Sequence, residues 1–122
     1  MNAPGLQAAI DAYCQGIYRG DIALLRSVFD PKAALFGDVR GAPYYRTLDD
    51  YLDVVAQRSS PQALGEPFRM ETVTLEVTGN IALAKLRCPI FEFDYTDYLS
   101  FVCQDGQWRI VSKVFTDAPA PA

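Results

Sequence analysis

The residues of this chain that could do chemistry are carboxylates and phenols, because it contains no histidine. That absence removes the usual base of Ser/His/Asp and Cys/His catalysis and the commonest transition-metal ligand. Asp97 is singled out by register. The stretch from Asp97 to Phe115 reads as a long β-hairpin turning at Asp105-Gly106, a strong two-residue turn signal. That turn pairs Cys103 with Trp108, Phe101 with Ile110, Leu99 with Ser112 and Asp97 with Val114. Alternation then puts Asp97 on the more apolar face, with Leu99, Phe101, Cys103, Trp108, Ile110 and Val114. Buried carboxylates are rare without a partner. Asp97 therefore either addresses a ligand or is paired with an arginine or a backbone amide. Tyr13 sits on the apolar face of a helix, as a core phenol with its hydroxyl satisfied or as a donor to a ligand. Asp38 lies beside a Gly-containing turn, where aspartates commonly bond their own backbone.

The elements that must position these residues follow from periodicity. Leu6, Ile10, Tyr13 and Ile17 recur at helical spacing, which predicts a first helix from about Leu6 to Arg19, ended by Gly20. Asp21 can N-cap a second helix with Leu24, Leu25, Val28 and Phe29 inward, stopped at Asp30-Pro31. Residues 34–38 form a short strand candidate, followed by a Gly- and Pro-containing segment to Pro43. Thr47-Leu48-Asp49-Asp50 resembles a capping box and opens a third helix to about Arg58. From Phe68 the period becomes two. Val73, Leu75 and Val77 alternate with polar residues, Gly79-Asn80 turns, and Ile81 to about Ile90 returns with Ala82, Ala84, Leu86 and Cys88 on the same face. A bend near Pro89 leads through Phe91, Phe93 and Tyr95 into the hairpin. Residues 118–122 are expected to be a disordered tail after a single domain of residues 1–117.

The totals narrow the classes. A chain of 122 residues, half of them hydrophobic, is one globular domain with enough length for a core. Its net charge of −4 and lack of a basic cluster argue against nucleic acid. No apolar run approaches the ~20 residues of a membrane span, and the N-terminus lacks a signal-peptide pattern, so a cytoplasmic protein is expected. Cys14, Cys88 and Cys103 read as buried thiols, and neither a metal site nor a cofactor is expected. Helices followed by long antiparallel strands make an α+β arrangement: three N-terminal helices packed in a strongly curved antiparallel sheet, a cone able to enclose a small ligand.

The Tyr13-to-Asp21 helix junction and the closing segments Thr96–Ser100 and Asp105–Phe115 resemble the nuclear transport factor 2-like superfamily, in particular its branch named putative lumazine-binding. The resemblance covers nearly the whole chain and implies a cone-shaped fold, but its members include isomerases, dehydratases, cyclases and non-catalytic proteins. Compared with ketosteroid isomerase, Tyr13, Asp38 and Asp97 occupy the similar places of its catalytic tyrosine, base aspartate and neutral aspartate. The resemblance thus implies Asp38 as base, with Tyr13 and a protonated Asp97 stabilising an enolate. Ile17, Phe36, Tyr51, Phe91, Tyr95 and Trp108 are expected to wall a pocket for a small apolar or aromatic molecule. The alternative is a non-catalytic ligand-binding or dimerisation module. Tyr98, Val111, Lys113 and Phe115 are placed on the outer sheet face, which is expected to bury against a second copy.

Overall fold

The computed structural model describes residues 3–119. Helix α1 (Leu6–Arg19) buries Leu6, Ile10, Tyr13 and Ile17, the stripe that periodicity predicts. It ends because Gly20 adopts a left-handed conformation (φ 67°) and turns its N–H back on the last carbonyls. The Asp21 carboxylate then accepts the Leu24 N–H at 3.1 Å and starts α2 (Ile22–Val28). Helix α3 (Leu48–Gln57) opens on Thr47, whose hydroxyl oxygen accepts the Asp50 N–H at 3.2 Å.

Between α2 and α3 the chain makes a hairpin rather than a short strand and a loop. Strand β1 runs Phe29–Val39 and β2 runs Ala42–Thr47. Arg40 and Gly41 both have positive φ (52° and 80°), as a two-residue type I′ turn requires. Phe29, expected at the end of α2, is the first residue of β1. Strands β3 (Glu71–Thr78), β4 (Ile81–Ile90), β5 (Phe93–Gln104) and β6 (Gln107–Thr116) form the expected meander.

The six strands make one curved, open sheet in the order β2-β1-β6-β5-β4-β3, and with the helices this is the expected α+β cone. Every neighbouring pair is antiparallel except β1 and β6, which run parallel. The inner face is covered by helices and carries Leu35, Ala84, Leu86, Leu99, Phe101 and Ile110, all essentially sealed from water. Residues 120–122 of the expected tail lie outside the described residues.

One irregularity decides what the cone contains. The β5–β6 register is as predicted from Gln104–Gln107 through Phe101–Ile110, but the next pair is Ser100 with Ser112. Val111 is an extra residue, a β-bulge, and beyond it the phase of β6 reverses. Leu99 therefore faces Lys113, and Asp97 faces Phe115 instead of Val114. Val114, expected inside, is 48% exposed, whereas Lys113 and Phe115, expected outside, are buried. On β3 a similar shift makes Val73 the extra residue, and both Val73 and Leu75, expected on the half-buried face, are exposed.

Gly37 of β1 lies opposite Phe115, and a Cβ there would meet the Phe115 carbonyl oxygen at 2.7 Å and its ring at 2.8 Å. The carbonyl belongs to the sheet ladder and cannot swing away, so Gly37→Ala overpacks the inner face. A loss of about 1–3 kcal/mol is expected, read as a lower urea midpoint with an unchanged slope. An unchanged midpoint would contradict this packing.

Candidate functional site

The reversed phase of β6 brings a lysine into the cone. Asp97 (β5) and Lys113 (β6) are the buried charged residues, at 2% and 6% exposure, and Lys113 Nζ lies 4.0 Å from Asp97 Oδ2. Tyr13 of α1 donates its hydroxyl to the same Oδ2 at 2.6 Å. Lys113 Nζ also donates to the Tyr51 hydroxyl at 3.3 Å. Three rings surround the ammonium, with centroids at 4.7 Å (Tyr51), 4.9 Å (Phe115) and 5.3 Å (Tyr13). Each offers its negative face to the cation.

These contacts explain the ionisation of the cluster. Burial raises the Tyr13 phenol well above its ordinary value, and the Asp97 charge pushes it further the same way, so Tyr13 stays a proton donor. For Lys113, burial pulls downward, but the Tyr51 oxygen and the Asp97 carboxylate outweigh it and the net shift is upward. Lys113 is held as a cation. Oδ2 of Asp97 takes the Tyr13 bond, and among the described residues no hydrogen bond reaches Oδ1. That oxygen is the one available to a ligand.

The cluster forms one wall of a cavity of about 190 Å³. Asp97, Lys113, Tyr51 and Phe115 line it beside Ile17, Cys88 and Tyr95, and Val39, Tyr44, Val54, Arg58 and Ile90 complete it. Of the expected pocket residues, Ile17, Tyr51 and Tyr95 are therefore in place. Phe36 is not: Leu35 points inward, so alternation turns Phe36 to the outer face, where it is 52% exposed. Phe91 stands at the β4–β5 turn, its ring under the Arg58 guanidinium at 4.9 Å, and does not line the cavity. Trp108 is buried beside Gly5, outside the cavity lining.

Asp38 is the main correction. It is exposed on the same outer side as Phe36, and its Oδ1 accepts the Gly41 N–H at 3.0 Å. It serves the type I′ turn and is absent from the cavity lining. The base expected from the isomerase resemblance is therefore not in the cone. Tyr13 and Asp97 do meet, and the partner of Asp97 is a lysine rather than an arginine. Sequence reasoning missed Lys113, Tyr44 and Arg58. For Lys113 a signal existed: Ile110-Val111 are consecutive apolar residues, and the apolar phase slips from Trp108 and Ile110 to Val111 and Phe115.

The family described as "putative lumazine-binding" matches residues 2–116. The chain belongs to this family. Within it the fold is that of nuclear transport factor 2-like proteins. An NTF2-like protein of unknown function from Methylobacillus flagellatus superposes with a TM-score of 0.81 at 19% identity, covering 93% of this chain and 89% of its own. Another, from Silicibacter pomeroyi, gives a TM-score of 0.77 at 24% identity, covering 91% of each chain. This lumazine-binding-family chain is also 28% identical over 110 residues to the aldolase FrzH of a Cladobotryum species, spanning 88% of this chain and 86% of that one. No helix among the described residues is long and apolar enough to cross a membrane, and no metal-binding group of side chains occurs among them.

The cluster sets a pH dependence whose sign can be worked out. Burial, and after it the Asp97 charge, moves the Cys14 thiol from 9.0 up to about 12, and Tyr13 and Lys113 are raised as well. Each group binds its proton more tightly folded than unfolded. Their stabilisation is thus complete below the unfolded values and lost as pH rises through the folded ones. Unfolding free energy is expected to be flat near neutrality and to decline from about pH 9 upward, with a shallower decline in Tyr13→Phe. A decline equally steep in that variant would count against a strongly raised Tyr13.

Proposed function

We propose that this chain binds a small carbonyl compound in the cone cavity and removes a proton from the carbon beside the carbonyl. The observation that carries this reading is the buried Asp97–Lys113 pair facing the cavity, with Tyr13 and Tyr51 bonded to its two ends. Asp97 is the base, acting through Oδ1. The proton moves from carbon to carboxylate, and the electron pair moves to the carbonyl oxygen. The Lys113 ammonium and the Tyr51 hydroxyl stabilise the oxygen charge in a site shielded from water, where such groups act most strongly. Tyr13 fixes the carboxylate by bonding Oδ2. The enolate then takes its proton back at carbon, or adds to a second carbonyl carbon, in which case the Asp97 proton passes to the new alkoxide.

The similarity to an aldolase supports the second fate. Because Lys113 is held as an ammonium, it is assigned the role of oxyanion partner rather than of amine nucleophile. The test is proton exchange in D2O with small methyl ketones and oxo acids, followed by NMR. Deuterium is expected to enter beside the carbonyl, and Asp97→Asn is expected to slow this by about 10²–10⁴, the range of a general base. Exchange at the wild-type rate in folded Asp97→Asn, or no exchange of any carbonyl compound that binds, would overturn the proposal.

We further propose that a second copy covers the outer sheet face. Tyr45, Phe36, Val114 and Tyr98 lie side by side across β2, β1, β6 and β5, each about half exposed. A twofold axis through this row would set it on itself, the self-complementary arrangement of a closed dimer. Lys113 and Phe115 take no part, being inside the cone. Light scattering is expected to give a dimer for the wild type and a folded monomer for Val114→Lys. A wild-type monomer at tens of micromolar concentration would contradict this surface.

A further inference from the structure

Arg58 is the cation of the cavity that the proposed chemistry does not use. It follows α3 as its C-cap residue and lines the same cavity as Lys113. Its Nε is buried without a hydrogen-bond partner, the one such side-chain atom among the described residues. Buried donors of charged groups are normally paired, so Arg58 calls for an explanation. The surroundings do not supply a counter-charge. Among the described residues Arg58 makes no ion pair. Glu66 spends its carboxylate on the Phe91 N–H at 3.1 Å and 3.3 Å. The guanidinium carbon lies over the Phe91 ring, 4.9 Å from its centroid. The guanidinium is therefore braced and partly desolvated, and among the described residues no carboxylate pairs with it.

The charge balance of the cavity points the same way. Its lining has two cations, Arg58 and Lys113, against one carboxylate, Asp97, in a chain whose net charge is −4. Both cations act on Tyr95, which lines the same cavity: burial raises its phenol, and Arg58 and then Lys113 pull against that rise. Asp97 neutralises Lys113, which leaves the Arg58 end positive. Because Nε is sealed from water, a ligand carboxylate would meet the terminal N–H groups, and a planar guanidinium matches a carboxylate in bidentate fashion. At about 190 Å³ the cavity is smaller than the roughly 300–1,000 Å³ of pockets for drug-sized ligands. A compact acid fits it better than a fused-ring compound.

We propose that Arg58 is the anion-recognising residue of this cavity and that its ligand is a small oxo acid, with the carboxylate on Arg58 and the carbonyl on Lys113 and Tyr51. The orientation of the ligand rests on the carbonyl chemistry proposed above; the preference for an acid does not. Arg58 thereby orients the carbon acid toward Asp97 Oδ1 and favours it over neutral carbonyl compounds of the same size.

The test titrates 2-oxobutanoate and 4-oxopentanoate, each beside its methyl ester, by ligand-observed NMR. At least one acid is expected to bind about tenfold or more tightly than its ester. Arg58→Gln is expected to erase that preference, and Arg58→Lys to keep part of it. Failure of both acids to bind at millimolar concentration, esters binding as tightly as acids, or a preference that survives Arg58→Gln would overturn the proposal. Should Arg58→Gln not fold, the Arg58 Nε–H resonance of the wild type decides. It shifts on saturation with the acid and not with the ester if Arg58 is the contact, and a resonance unmoved by the acid refutes it. Enolisation is scored separately. Acid preference without deuterium exchange sinks the proton-transfer reading alone, and exchange without acid preference sinks the role of Arg58 alone.

Discussion

The cavity depends on one buried ion pair, Asp97 with Lys113, and on the single extra residue that makes it possible. Two charges inside a cone are expensive to desolvate, and attraction repays the cost only where the remaining donors and acceptors are bonded. Here Tyr13 satisfies one carboxylate oxygen, Tyr51 accepts from the ammonium, and three aromatic faces surround the cation. The part played by Lys113 does not exist without the bulge at Val111. Uninterrupted alternation would set Val114 opposite Asp97 and send Lys113 to the outer face.

That dependence links local backbone geometry to chemistry. The phase of β6 decides whether the cavity that Asp97 lines also holds an ammonium, here 4.0 Å from its carboxylate. In the proposed enolisation the carboxylate and the cation divide the labour, the first removing the proton and the second receiving the charge. A carboxylate from β1 is not needed for this, and Asp38 is occupied in holding the Arg40-Gly41 turn.

Much of the architecture was legible in the sequence because it follows from patterns of local range. The helix stripes of Leu6–Ile17 and Tyr51–Val55, the caps at Asp21 and Thr47, and the Asp105-Gly106 turn each carry their own instruction. The β1–β2 hairpin was hidden because Pro31, Gly37 and Pro43 resemble loop punctuation and Arg40-Gly41 is a weaker turn signal than Asn-Gly or Asp-Gly. The inward position of Asp97 was readable from register, since it lies on the strand without the bulge. The position of Lys113 was marked only by the Ile110-Val111 phase slip, and it was missed because a bulge is an event between strands and a lysine at a strand end reads as solvated. Phe36 and Phe91 were misplaced for a related reason: aromatic type alone does not say which face a residue takes.

The central claim is that Asp97 and Lys113 form one buried unit, and a double-mutant cycle in urea denaturation tests it most directly. Asp97→Asn and Lys113→Met are each expected to cost about 3–5 kcal/mol, because each strands the other charge. The double variant is expected to cost less than the two together, with a coupling of about 0.5–3 kcal/mol or more. Strictly additive losses would show that the two side chains do not interact, and the account of the cavity built on them would be wrong.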